Sequence, residues 1–178
     1  MLCRTEPAFC ALFYERLLYT EAVIFALTVP CVIPCVIDYT DQYGVSLLEK
    51  SLSTSKFDVA KLLLDNGAKV NVVSKEGCNE FHYIAANIRY EGGLEIAKIL
   101  LDRGVSLVVK DKKYGNSACY TLCHELLKIA SDEMLAFLET CLEQFQEYDA
   151  CNKAGYSVRK MINQRGTDRL KQMMEARI

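Results

Sequence analysis

An eleven-residue stretch of this chain occurs twice. Phe57-Asp58-Val59-Ala60-Lys61-Leu62-Leu63-Leu64-Asp65-Asn66-Gly67 returns 37 residues later as Leu94-Glu95-Ile96-Ala97-Lys98-Ile99-Leu100-Leu101-Asp102-Arg103-Gly104. Nine of the eleven positions are identical or close in type. A unit recurring at such a period cannot bury its apolar face alone and has to stack on a neighbour. That moves the expected function away from catalysis in a pocket and towards recognition by a surface.

A second set of anchors gives the register. Gly44, Gly77, Gly115 and Gly155 each follow a short polar run and precede a helical pattern, at separations of 33, 38 and 40 residues. The unit therefore reads as turn, helix, tight turn, helix, glycine cap, extended loop. Gly67 and Gly104 stand where a left-handed residue closes a helix C-terminus. The residues after them, 68–72 and 105–109, are β-prone and extended.

With the run Val59-Ala60-Lys61-Leu62-Leu63-Leu64-Asp65-Asn66-Gly67-Ala68-Lys69-Val70-Asn71, this pattern resembles the ankyrin repeat. The units fall at 41–73, 74–111, 112–151 and 152–178, behind a divergent helical cap or degenerate repeat at 1–40. Where the family usually has Thr-Pro-Leu-His, this chain has Ser46-Leu47-Leu48-Glu49, Asn79-Glu80-Phe81-His82, Ser117-Ala118-Cys119-Tyr120 and Ser157-Val158-Arg159-Lys160. The resemblance therefore rests on the second helices and the glycine register. It is most specific in units one and two, and the fourth unit has Gly166 at the inter-helix glycine. The implied fold is an all-α ankyrin solenoid of helix-turn-helix units with short β-hairpin-like loops. His82 takes the family's structural histidine, which bonds neighbouring loop backbone. Asn71, with Leu63 eight residues earlier, resembles the family's asparaginyl hydroxylation site, although Lys69 stands where an acid is usual.

Composition sets outer bounds. Of 178 residues, 51% are hydrophobic and 25% charged, which is globular rather than disordered. A net charge of −2 gives no whole-chain attraction to polyanions. Residues 131–150 carry six acids and no base, and 151–178 carry seven bases against two acids. Solvated outer faces with some cross-helix pairing account for this, and a nucleic-acid partner is disfavoured. Nine cysteines, irregularly spaced and odd in number, fit buried free thiols in a reducing compartment. A cytoplasmic location is expected, with the nucleus as an alternative.

Ala22 to Ile37 is a sixteen-residue run without a charge. It is shorter than a membrane span of about 20 apolar residues and holds Pro30 and Pro34. Glu15, Arg16 and Glu21 precede it, unlike the basic start of a signal peptide. Counting back 33 residues from Gly67 lands on Pro34, which favours an N-terminal capping repeat with Phe9–Tyr19 as its first helix. A membrane partner is disfavoured accordingly.

Catalytic and metal chemistry find little support. Cys119 and Cys123 share a helix face, but His124 points about 100° away, so neither a zinc site nor a Cys–His nucleophile pair assembles. No phosphate loop, nucleophile elbow or zincin motif occurs in the chain. No catalytic residue, metal or cofactor is expected.

By resemblance, a protein partner lies along the concave face of hairpin tips and first helices. The tips supply Tyr43, Lys75, Glu76, Lys112, Lys113 and Tyr114, and also Gln42, Asn116 and Tyr156. The first helices supply Ser53, Thr54, Asn87 and His124, with Glu125, Gln164 and Arg165. Tyrosines are favoured interface anchors. Residues 87–93 exceed the repeat length, so Arg89 and Tyr90 are further candidates on a projecting loop that Gly92 and Gly93 would let move. The structural glycines are Gly44, Gly67, Gly77, Gly104, Gly115 and Gly155. The expected function is a non-catalytic adaptor or inhibitor, monomeric or in a heterodimer. A dedicated neutraliser of one toxin or effector and a membrane-associated protein using 22–37 are alternatives.

Overall fold

The computed structural model describes residues 37–176. Among them the regular structure is all helical, in four pairs. These are α1 (Leu47–Ser53) with α2 (Phe57–Asp65), α3 (Glu80–Ala85) with α4 (Gly93–Asp102), α5 (Ala118–Ile129) with α6 (Asp132–Gln144), and α7 (Val158–Arg165) with α8 (Asp168–Glu175). The described residues hold no extended strand, only the isolated antiparallel bridges Thr40–Ser46 and Lys110–Ser117. The stretches after Gly67 and Gly104 are loops, although β-prone in sequence. They carry inward apolar residues, Ala68, Val105 and Leu107, that pack on the core instead of pairing with another strand.

Each first helix is capped by the residue two after a hairpin glycine, Ser46, Asn79, Ser117 and Ser157. The serine hydroxyls accept the N–H of Glu49 at 3.1 Å, Tyr120 at 3.1 Å and Lys160 at 3.2 Å. Such a cap satisfies one of the orphan donors of a helix start. The ends of α2 and α4 are also alike. Gly67 N–H donates to Leu64 O and Ala68 N–H to Leu63 O, and Gly104 N–H to Leu101 O and Val105 N–H to Leu100 O. This double bond pattern needs a residue at positive φ, and Gly67 (84°) and Gly104 (73°) supply it.

Two helix rows result. The first helices α1, α3, α5 and α7 pack in sequence, and the second helices α2, α4 and α6 line up behind them. One apolar core runs between the rows, from Leu47, Leu48 and Leu52 through Phe81, Ile84, Ile96 and Leu100 to Leu122, Leu138 and Ile162. Cys119, Cys123 and Cys141 are fully buried free thiols within it.

Neighbouring pairs are also stitched through backbone groups. Asn71 Oδ1 accepts Ser106 N–H at 2.7 Å, and its Nδ2 donates to Gly104 O at 3.0 Å. Asp38, 33 residues earlier, accepts Lys69 N–H at 3.0 Å in the same register. Arg103 reaches back to Leu64 O at 2.7 Å. The expected N-terminal cap lies outside the described residues as far as 36, and so does nearly all of the apolar run 22–37.

Three local features differ from the sequence expectation. The loop 87–93 packs inward instead of projecting freely: Ile88 is fully buried, and Asn87 Nδ2 donates to Leu52 O and Ser53 O. Its glycines allow this close packing: Gly92 has a φ of 81°, and a Cβ on Gly93 would lie 2.7 Å from Ile88 O. The third unit is longer, and its last turn closes on an aromatic pair in place of glycine. Phe145 and Tyr148 meet edge-to-face at 5.6 Å, and Tyr148 O–H donates to Leu142 O at 2.5 Å. Finally, Arg159 belongs to the expected pairing of acidic with basic stretches but is half-buried and not a solvated base. Its guanidinium lies over the Tyr148 ring, pairs with Asp149 at 2.7 Å and donates to Met174 O at 2.6 Å.

Candidate protein-binding surface

Four hairpins stand in a row beside the first helices. The backbone links each tip to the next: Lys75 N–H donates to Tyr43 O at 2.8 Å, Lys112 N–H to Glu76 O at 2.8 Å, and Lys153 N–H to Tyr114 O at 2.9 Å. Each hairpin is closed by the side chain that opens it. Asp41 accepts from Tyr43 and Val45, Ser74 from Cys78, Asp111 from Tyr114 and Asn116, and Asn152 from Ala154 and Tyr156. Gly44, Gly77, Gly115 and Gly155 all have positive φ, between 70° and 78°. At Gly77 a side chain is excluded by space as well, since a Cβ would lie 2.7 Å from Lys110 O. The row is therefore pre-organised, with little backbone freedom left to lose on binding.

Large rings stand on this framework. Tyr43, Tyr114 and Tyr156 are 58%, 55% and 50% exposed at three of the tips. Lys75, Glu76, Lys112 and Lys113 are exposed beside them. The Lys113 ammonium rests 4.7 Å over the Tyr114 ring. Arg89 and Tyr90 are exposed and stack on each other, with 5.1 Å between guanidinium and ring centre. The Ser53 and Thr54 hydroxyls, also exposed, bond back to Lys50 O.

The sequence-based candidates are not one cluster. Tyr114, Lys113 and His124 come together in a cleft of about 450 Å³ between the third and fourth hairpins and α5, with Asn116, Tyr120, Thr121, Asn152, Lys153 and Ala154. A second cleft of about 250 Å³ continues from it along α7, lined by Tyr120, His124, Tyr156, Met161, Gln164 and Arg165. Tyr120 and His124 belong to both, so the two form one groove. Neither cleft includes Tyr43, Ser53, Thr54, Lys75, Glu76, Asn87, Arg89, Tyr90 or Lys112. Tyr120, Thr121, Lys153 and Met161 were not among the sequence candidates. Tyr120 was detectable, since it holds the fourth place of its tetrad, one helical turn before His124.

In units one and two the fourth residue of the tetrad lies inside, whereas Lys160 in unit four is exposed. His82 is half-buried, and Asn79 N–H donates to its Nδ1 at 3.2 Å. Its Nε2–H then donates to Asn116 O at 3.2 Å, which ties unit two to the third hairpin. Burial lowers its pKa and keeps the ring neutral. Glu49 occupies the matching place in unit one and is fully buried. Its Oε2 accepts Ser46 N–H at 2.6 Å, and its Oε1 has no hydrogen-bond partner. Burial pushes its pKa to about 8, helped by the nearby Glu80 charge. Glu80 is likewise buried with one unpartnered oxygen, while the other accepts Val72 N–H at 3.1 Å.

Among the described cysteines, Cys119, Cys123 and Cys141 are packing groups. Burial raises the pKa of Cys78 to about 11 and lifts Cys119 and Cys141 well above the usual thiol value. His124 turns away from Cys123 and bonds Glu125 at 2.9 Å. Among the described residues no three His, Cys, Asp or Glu side chains converge as metal ligands. None of the described helices is long and apolar enough to cross a membrane. No protein-family model matches this chain, and no curated protein matches it.

Proposed function

We propose that this chain is an ankyrin-type repeat protein that recognises another protein, without catalysis, through the hairpin row and the groove beside α5 and α7. The observation that carries the proposal is the hydrogen-bonded row of tips, which holds exposed tyrosines on a backbone already fixed before binding. Three further features support it: the recurring helix pairs, the alike closures of α2 and α4, and the cross-unit bonds of Asn71 and His82. An interface of ordinary size buries roughly 800 Å² on each partner. The free thiols fit a reducing compartment such as the cytoplasm.

Site-specific photocrosslinking in the source cells tests this. A benzophenone amino acid in place of Tyr114 should yield a discrete protein adduct. The same group in place of Lys98, exposed on α4, should not. Equal crosslinking from both positions, or adducts from Lys98 alone, would refute recognition through this face.

A further inference from the structure

The two parts of the groove share a charge of one sign. Lys113, Lys153 and Arg165 line it, and no carboxylate does. The nearest acid in sequence, Glu125, is already held by Lys128 at 2.8 Å and by His124. Lys153 is fixed in place, because its ammonium donates to Lys112 O and to Lys113 O. Between the cations the walls are rings and thioether: Tyr114, Tyr120, Tyr156 and Met161. Across the molecule, the cleft between α2 and α4 has the opposite character. Asp58, Glu91 and Glu95 line it against Lys61 alone, and that ammonium lies 3.7 Å from Glu95.

We propose that the groove takes an acidic segment of the partner protein, with one aromatic or aliphatic side chain on Tyr120 and carboxylates against Lys113, Lys153 and Arg165. This inference rests on the protein-recognition reading above. Charge complementarity selects the face: an acidic segment is drawn to the groove and repelled from the acidic cleft behind it. The larger cleft, at about 450 Å³, has room for a side chain and the backbone on either side of it. A single nucleic-acid strand fits less well. It needs cations that track several successive phosphates, whereas beyond the groove the tips interrupt Lys112 and Lys75 with Glu76 and the chain is net negative.

Selection from a random dodecapeptide phage library, on the full chain under reducing conditions, tests the proposal. Enriched peptides should carry net negative charge around one large apolar residue. Their affinity should fall about tenfold or more in Lys113→Glu/Arg165→Glu, and should weaken as salt rises. All three cations are solvent-exposed, so the variants should keep the wild-type helical signal and melting temperature. Neutral or basic peptides that are lost with Tyr120→Ala would overturn the acidic inference and leave recognition by the groove standing. Peptides indifferent to both variants would refute the groove itself. A (dT)12 oligonucleotide that binds more tightly than the selected peptides would replace the acidic protein segment with nucleic acid.

Discussion

Replacing Glu49 with glutamine should remove one large share of the pH dependence of folding, the share that Glu49 itself contributes. Glu49 is fully buried, one oxygen receives Ser46 N–H, and the other has no partner. As a neutral acid, Oε1 becomes a donor, the same polarity that His82 Nε2–H offers one unit later. The pKa moves from 4.5 to about 8 with burial as the main cause. A folded-state pKa above the unfolded one means that the folded protein binds more protons between those values. Stability is then full below pH 4.5 and is lost as pH rises through 8. At ~1.36 kcal/mol per pH unit, that gap is worth about 5 kcal/mol at most. Glu80 is shifted the same way, and His82 opposes both below its usual value. The difference between wild type and Glu49→Gln isolates the one residue. Urea unfolding followed by circular dichroism at pH 5, 6, 7 and 8 gives that difference directly. The glutamine variant should gain on the wild type by roughly 3–5 kcal/mol across the series. A difference that stays within about 1 kcal/mol from pH 5 to 8 would refute a neutral, buried Glu49.

Three smaller perturbations read other parts of the fold. Ala130 ends α5 at φ 51°, where a Cβ is strained, so Ala130→Gly should raise stability by about 0.5–1 kcal/mol in thermal unfolding. Asn71→Ala removes both bonds across the unit boundary and leaves alanine at φ 63°; a loss of roughly 1–2 kcal/mol is expected, with faster amide exchange at Ser106. Under native conditions a thiol reagent followed by peptide mapping should label exposed Cys151 rapidly. Cys119, Cys123 and Cys141 should react only on unfolding.

The spacing of particular residues explains what was legible in the sequence. The all-helical course could be read because Gly67 and Gly104 close near-identical runs, and because four glycines stand two residues ahead of helix caps. Those positions are constrained by backbone geometry, so residue type reveals them. The hairpin closers were hidden because Asp41, Ser74, Asp111 and Asn152 do one job with three side-chain types. The third hairpin also holds one more residue between its closer and its glycine, which breaks the spacing. Phe145 and Tyr148 could not be anticipated, since they replace a glycine closure by a local ring contact, which no backbone constraint marks in the sequence. The groove was half visible. Tyr114 and His124 were selected from register alone, whereas Lys153 and Met161 enter it only because the fourth hairpin and α7 pack beside α5. Asn87 and Ile88 show the converse, where surplus length was spent on internal contacts.

Amide hydrogen exchange of the chain alone and in complex with its crosslinked partner tests the central claim most directly. Recognition through the pre-formed row predicts added protection at 111–116 and 152–156 and along α5 and α7, with α2, α4 and α6 unchanged. Protection confined to the outward faces of α2, α4 and α6, with the tips and the groove unaffected, would contradict it.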